Sequence, residues 1–416
     1  MTGWKYLYLF FIVVDSLIMG IQVLLYLKAQ NLAKESRNPR ILKILINTLF
    51  VVFNVPLIII FIFKIHLLRV PVLVLYGAVY PFFLWHFASF LLFLLYLAGK
   101  FLRLPFDSVL WVLKQFERPK AWLANVRANE KIMNYDLRRR MFVRRSITVL
   151  IGGAVVGSAY GAFRRDDYEI SCVDLPIINL PERFENFTIT MLTDIHSSIF
   201  MEREQMETYV KATNDLGGDM VVVTGDFVNS LTEEVYPFAE AFSGLHGRYG
   251  VYGVLGNHDF FTRNVEVVAK EVNDCGIRLL RDQTTAINKD GQKIYLMGVD
   301  DVGTAKRAGL LFDDVLRDTE PGIPKILLCH RPYFFEQAAE RNIEVTLSGH
   351  THGGQLVIAR IGGEVLAPAR MASPYVAGLY TRGASQMYVS RGIGTVGIPV
   401  RVNCPPEITK FKLVRA

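Results

Sequence analysis

The 416-residue sequence predicts an α/β domain, with helices laid over sheet faces, behind a helical transmembrane region. Three observations carry this. The first quarter of the chain is almost wholly aliphatic and aromatic. From residue 164 onward, short apolar β-rich runs alternate with helical stretches. At the ends of those runs stand Asp, Asn and His side chains.

A membrane-crossing helix needs about 20 apolar residues. Residues 6–27, 44–63 and 70–97 qualify, the last carrying Pro71 and Pro81 and having length to spare for tilt. Residues 1–97 therefore read as a transmembrane region with three spans. Residues 98–146 form a basic loop with twelve Lys/Arg, and the loop 28–43 carries five against a single Glu. The positive-inside rule puts both loops in the cytoplasm. The N-terminus and residues 164–416 then lie on the other side, which makes a multi-pass membrane protein with an extracytoplasmic domain. The segment 147–163, rich in small residues, is a fourth span on this reading. Arg144-Arg145-Ser146 ahead of it also looks like an export signal, here internal. A soluble or re-entrant segment is the competing reading and would leave the domain cytoplasmic. In the basic loop, Phe106, Val109, Leu110, Leu113 and Phe116 recur at helical spacing, as in a helix lying in the membrane interface or in a plain amphipathic loop helix. Asp15, Asn54 and His86 interrupt the apolar spans. Asp15 and His86 are expected to satisfy each other or a neighbouring helix, since no further charged residue builds a relay.

Charge divides the chain the same way. Residues 1–163 hold 20 Lys/Arg against 6 Asp/Glu, and residues 164–416 hold 26 against 33, so the net +7 belongs to the membrane region. The acidic domain lacks the electrostatic footprint of a nucleic-acid binder. Cys172, Cys275, Cys329 and Cys404 lie far apart without C-x-x-C spacing. Disulfides stay open, with free buried thiols favoured, above all for Cys329 inside an apolar run. No sequence feature sets an oligomeric state.

In the domain, strands are expected at 188–193, 220–224, 251–255, 294–298, 326–329, 345–348 and 387–390, and helices at 203–216, 233–242, 265–274 and 334–340. Directly after strands come Asp194-Ile-His196, Gly225-Asp226, Gly256-Asn257-His258-Asp259, His330 and Gly349-His350-Thr-His352. Residues at the carboxyl ends of parallel strands converge on one rim of a sheet. Five of the eight histidines occupy these positions. One such histidine would be unremarkable; five interleaved with two carboxylates and an amide point to a metal site for Mn, Fe or Zn. In Asp194-x-His196 and His350-x-His352 both side chains of an extended pair can reach one site.

Taken in order, these five blocks resemble those of the calcineurin-like metallophosphoesterases. The run Gly349-His-Thr-His-Gly-Gly-Gln355 and the tail from Ser390 to Ile408 are similar to the bacterial membrane-associated branch, some of whose members carry twin-arginine leaders. The resemblance implies a four-layer, two-sheet sandwich flanked by helices, with metals at one edge. It implies that Asp194, His196, Asp226 and His352 hold one divalent ion, and that Asp226, Asn257, His330 and His350 hold a second, the Asp226 carboxylate bridging. His258 would be the catalytic group that protonates the leaving oxygen, with Asp259 hydrogen-bonded to it or capping the next helix. Arg331 would contact a phosphate oxygen or serve as an ion-pair partner, Asn257 would also touch substrate, and Thr351 and Asn229 would orient the ligands.

Two cations of this kind imply hydrolysis of phosphodiester or pyrophosphate bonds, with a lipid-borne or cell-envelope phosphoester as substrate and the bilayer as partner. Membrane-associated UDP-2,3-diacylglucosamine hydrolases are a similar arrangement but require the domain on the cytoplasmic side. A non-catalytic membrane sensor on the same fold is the alternative from another class, and the complete ligand set argues against it.

Overall fold

Residues 2–63, 71–128, 167–362 and 364–416 are described in a computed structural model of the chain. They belong to two units, Met1–Tyr160 and Gly161–Ala416. The segment 147–163 and the Arg144-Arg145 pair lie outside the described residues.

In the N-terminal unit, the helices Thr2–Ala33, Pro39–Phe63 and Tyr80–Leu113 form where long apolar runs meet strong helix formers. Three stretches, Val13–Ala33, Pro39–Ile59 and Leu75–Leu113, are long and apolar enough to cross a membrane. The third differs from expectation. Its helix continues through Lys100, Arg103 and Pro105 to Leu113, so the expected span and the expected interfacial helix are one rod. Charges end an apolar run, but Lys, Arg and Leu all propagate a helix. Polar side chains tie the helices together: Trp85 Nε1 donates to Gln22 Oε1 at 3.0 Å, and Tyr26 donates to Asn47 Oδ1 at 3.0 Å. Such links are favoured between helices in an apolar surround. His86 takes the Phe82 carbonyl of its own helix through Nδ1, not Asp15.

The C-terminal unit is built on two six-stranded sheets. Its strands are β1 (Glu169–Ile177), β2 (Thr188–Leu192), β3 (Met220–Val223), β4 (Val251–Gly253), β5 (Arg278–Leu279), β6 (Gln283–Lys289), β7 (Gln292–Gly298), β8 (Lys325–Leu328), β9 (Val345–Ser348), β10 (Ala359–Ile361), β11 (Glu364–Leu366), β12 (Gly378–Arg382), β13 (Ser385–Val389) and β14 (Glu407–Arg415). One sheet runs β1-β14-β2-β3-β4-β5 and the other β12-β13-β9-β8-β7-β6, while β10 and β11 form a separate hairpin. The middle of each sheet is parallel: β2 to β5 in the first, and β7, β8, β9 and β13 in the second.

Two-residue periodicity sorts the side chains into layers. Ile189, Met191 and Val222 of the first sheet meet Ile294, Leu296, Ile326, Leu328, Val345 and Leu347 of the second in one core. Their neighbours point outward. Val221 and Val223 pack under the helices Arg203–Asp215, Val235–Phe242 and Val265–Asp274. Met297 and Leu327 pack under Ala305–Leu316 and Phe335–Ala339. The result is a helix–sheet–sheet–helix sandwich whose central strands are buried on both faces. Truncating an inter-sheet Ile or Leu to Ala would cost about 2–5 kcal/mol. Because the parallel strands share a direction, the chain leaves β2, β3, β4, β8 and β9 at one common rim.

Candidate dinuclear metal centre

The exits from these strands are sharp. Asp194, His196, Asp226, His350 and His352 all adopt left-handed backbone, with φ of 53°, 50°, 56°, 73° and 51°. Each such residue costs of order 1–3 kcal/mol and persists only where its surroundings over-determine it. The flanking glycines make the crowding possible. A Cβ on Gly256 would strike the Asp226 carboxylate, and one on Gly349 would strike Thr193 and the Asp194 carboxylate.

The loops are stitched across the two sheets. Asp194 receives the His350 N–H on its carboxylate, at 2.9 Å to Oδ1 and 3.0 Å to Oδ2. The Asp194 and His196 N–H groups donate to the carbonyls of Gly225 and Asp226, and Gly349 N–H donates to the His330 carbonyl.

Six of the seven expected donors fall into two groups, Asp194/His196/His352 and Asp226/His330/His350, the donor atoms of each within 4.8 Å of one another, and by the same distance His258 forms a third group with His196 and Asp226. Asp226 Oδ2 lies between them, 3.5 Å from His196 Nε2 and 3.2 Å from His330 Nε2. The seventh, Asn257, is buried beside them with an Oδ1 that has no protein partner. His196 and His352 bring their Nε2 atoms to 3.0 Å of each other. Nitrogen lone pairs, two carboxylates and an orphaned amide oxygen turned inward in one buried place fit divalent cations of the Mn, Fe or Zn class.

Electrostatics point the same way. Burial, helped by the neighbouring His258, pushes His196 down to about 3, and burial with the neighbouring His196 holds His352 well below the imidazole range. Both rings are therefore neutral, as ligands must be. Burial opposes charge on Asp226, yet His330, His258 and His196 hold its carboxyl well below the usual range. Burial likewise opposes charge on His330, but Asp226 and Asp194 raise it to about 10. A proton on His330 thus compensates the buried carboxylates, and a cation between the groups would do the same.

The outer nitrogens set each ring's orientation. His330 Nδ1 hydrogen-bonds the Thr224 carbonyl at 2.7 Å, and His350 Nε2 meets the Tyr333 hydroxyl at 2.9 Å. Tyr333 carried no signal in the sequence, because its role depends on where a turn after β8 brings it. Arg401 lies in the tail that carries the resemblance, but its contacts are set by the fold. Its buried guanidinium donates to the carbonyls of His352, Arg391, Gly392, Gly394 and Cys404, bracing the loop behind His352 and Asp194.

His258 stands at the edge of the groups, its ring 4.5 Å from that of His196, and its Nδ1 is held by the Asn229 carbonyl. The hydrogen bond expected from Asp259 is absent. Asp259 turns away from the ring and, fully buried, accepts from the N–H groups of Asp226, Phe227, Val228 and Gly256 at 2.8–3.2 Å. Three residues on from Gly256, it caps its own short helix and fixes the loop that bears Asp226. It is a positioning residue by its contacts, and Asn229 orients His258 through its backbone. Arg331 forms a two-pronged pair with Asp301, at 2.6 and 2.8 Å, which a substrate phosphate would have to share. Thr351 bonds the Val376 carbonyl at 2.6 Å. The four cysteines are free, Cys329 and Cys404 being buried.

Residues 187–354, which contain this geometry, match the family model described as calcineurin-like phosphoesterase. These residues form a calcineurin-like phosphoesterase domain. Members of this family are metal-dependent hydrolases of phosphoric esters. The chain is 29% identical over 328 residues to a transmembrane protein with a metallophosphoesterase domain from Bos taurus, covering 75% of this chain and 71% of that one. It is 28% identical to the metallophosphoesterase YkuE of Bacillus subtilis, over 67% of this chain and 98% of that one. It is 29% identical to the phosphodiesterase YaeI of Escherichia coli, over 55% of this chain and 82% of that one.

Proposed function

We propose that this chain is a membrane-anchored phosphoesterase that uses two divalent cations to hydrolyse phosphodiester or pyrophosphate bonds in a lipid or cell-envelope substrate. The observation that carries this reading is Asp226 Oδ2, placed between two histidine-containing donor groups. A carboxylate oxygen can serve two cations at once, and a neutral imidazole serves one. Asp194, His196 and His352 would hold one ion, and Asn257, His330 and His350 the other. A cation pair, when bound, supplies Lewis-acid polarisation of phosphate oxygens and a nucleophile drawn from water at neutral pH.

The chain's own groups do the rest. With Nδ1 tied to Asn229, His258 presents Nε2 to the leaving oxygen and delivers its proton there. The carbonyl keeps the ring from rotating away. Asp259, by holding four backbone amides, keeps Asp226 in its left-handed conformation. Phosphodiester chemistry is favoured by the activity named for the Escherichia coli relative. Membrane attachment is favoured by three apolar helices of crossing length and by the transmembrane relative from Bos taurus. The two basic loops favour a domain on the face opposite the cytoplasm.

The test is to purify the full chain in detergent, load it with Mn, Fe or Zn, and assay phosphomonoesters, phosphodiesters and lipid pyrophosphates side by side. Hydrolysis of a diester or a pyrophosphate is expected. A protein that binds two ions and cleaves none of the three classes would refute the enzyme reading.

A further inference from the structure

We infer that the metal-site rim of the catalytic domain is its membrane-contacting face, and that the hairpin of β10 and β11 seats on the lipid surface and offers the centre a phosphoester held in the bilayer. This rests on the proposed function and adds the surface that would bring substrate to the site.

The chain leaves His352, pairs briefly with Val402 through Leu356 and Val357, and runs directly into the hairpin and the turn Pro368–Met371. The hairpin is no loose loop. Val357, Val365, Ala367 and Val376 pack with Cys404 into a core of their own. The Cys404 thiol in turn donates to the His352 carbonyl. On this firm base the outer side chains are apolar and open to solvent: Ile358 is 70% exposed, Ile361 68%, Met371 95% and Leu366 49%. The hairpin exposes Ile361 and Leu366, Ile358 leads into it and Met371 ends the turn after it, so this segment beside the active centre bares four large apolar side chains, as contact surfaces do.

Charge selects the partner. The domain 164–416 is net negative, yet residues 357–377 carry Arg360 and Arg370 against the single Glu364. Exposed aliphatic side chains interspersed with arginine suit an interface of acyl chains and anionic headgroups.

Where the chain enters the domain gives an independent argument. β1 begins at Glu169, which pairs in register with Glu407 and whose carboxylate takes Arg391 at 3.0 Å. The next residues after Arg391 close over the site: a Cβ on Gly392 would touch Asp194, and Gly394 N–H donates to the Asp194 carbonyl at 2.7 Å. The domain is therefore entered at the rim that holds the metal ligands. In sequence, residues 164–168 alone separate Glu169 from the apolar segment 147–163. Five residues reach at most about 18 Å. In sequence, then, this rim lies within a few residues of the apolar segment 147–163.

The experiment uses the full chain in nanodiscs of mixed phosphatidylcholine and phosphatidylglycerol. In a Cys172→Ser background, a fluorophore is placed at Met371→Cys or, as control, at Ile178→Cys, an exposed position at the opposite end of β1. Lipids spin-labelled near the headgroup are then added as quenchers. Quenching several-fold stronger at position 371 than at 178 is expected; equal quenching would overturn the inference. A second arm compares Ile358→Ser/Ile361→Ser with the parent on a bilayer-borne phosphodiester and on soluble bis(p-nitrophenyl) phosphate. A selective loss on the bilayer substrate is expected, and an equal loss on both would contradict the inference. Absence of any hydrolysis by the parent chain would sink the functional reading alone, because the quenching contrast does not depend on turnover.

Discussion

The two donor groups of the centre are alike in composition and unlike in support. In Asp226/His330/His350 each ring is held at its outer nitrogen, by the Thr224 carbonyl and the Tyr333 hydroxyl. In Asp194/His196/His352 the outer nitrogens, His196 Nδ1 and His352 Nδ1, are buried and take no hydrogen bond from a protein group. That group is held instead from the main chain, by Arg401 and Cys404 on the His352 carbonyl and by the left-handed turns at Asp194, His196 and His352. Hydrogen bonds to the outer nitrogen fix the tautomer and raise ligand basicity. The two positions should therefore differ in affinity, with the ion at Asp226/His330/His350 the tighter one.

The largest effect expected is from stripping both positions. Chelation of the purified full chain should reduce hydrolysis to background, and stepwise return of Mn should restore it only when the weaker position fills. Activity that returns fully with the first equivalent, read by titration against bound metal, would show that one group works alone.

Next comes His258, which belongs to neither group. His258→Ala should keep the metal content and lose about 10²–10⁴ in turnover, most for poor leaving groups. Loss of metal from this variant, measured by elemental analysis, would make the ring a ligand and redraw the boundary between the groups.

Tyr333→Phe removes the hydroxyl that supports His350. A fall of about 10–100-fold in affinity at the tighter position is expected, with the weaker one unchanged, as read by competition with a chromophoric chelator. An unchanged profile would erase the contrast in support.

Asp259→Asn should act on stability more than on chemistry. Weakening four buried amide bonds costs about 1–3 kcal/mol and lowers the thermal midpoint, while the dependence of rate on leaving group stays as in the parent. A changed leaving-group dependence would return Asp259 to a role at His258.

These contrasts mark what could be read from sequence. The donors were legible because each follows a short apolar strand, where polarity changes within one or two residues, as at Leu192-Thr193-Asp194 and Ser348-Gly349-His350. Their supports were not. Tyr333 reaches His350 only because the turn Pro332–Phe334 folds back, and Arg401 reaches five carbonyls from a segment without regular structure. Asp259 stands next to His258 in sequence, yet helical turn geometry sends its carboxylate to the backbone. The pairing of β1 with β14 joins residues more than two hundred positions apart, which no local pattern reports. In the membrane region, the apolar run stops at Leu97, ahead of Lys100 and Arg103, whereas backbone propensity carries the helix Tyr80–Leu113 on through them.

The central claim is that one carboxylate joins the two groups. Elemental analysis of the full chain and its Asp226→Asn variant, purified in parallel after loading with Mn, tests it most directly. Two ions per chain are expected in the parent, with one or none in the variant and a parallel loss of hydrolysis. A variant that keeps both ions would contradict the account.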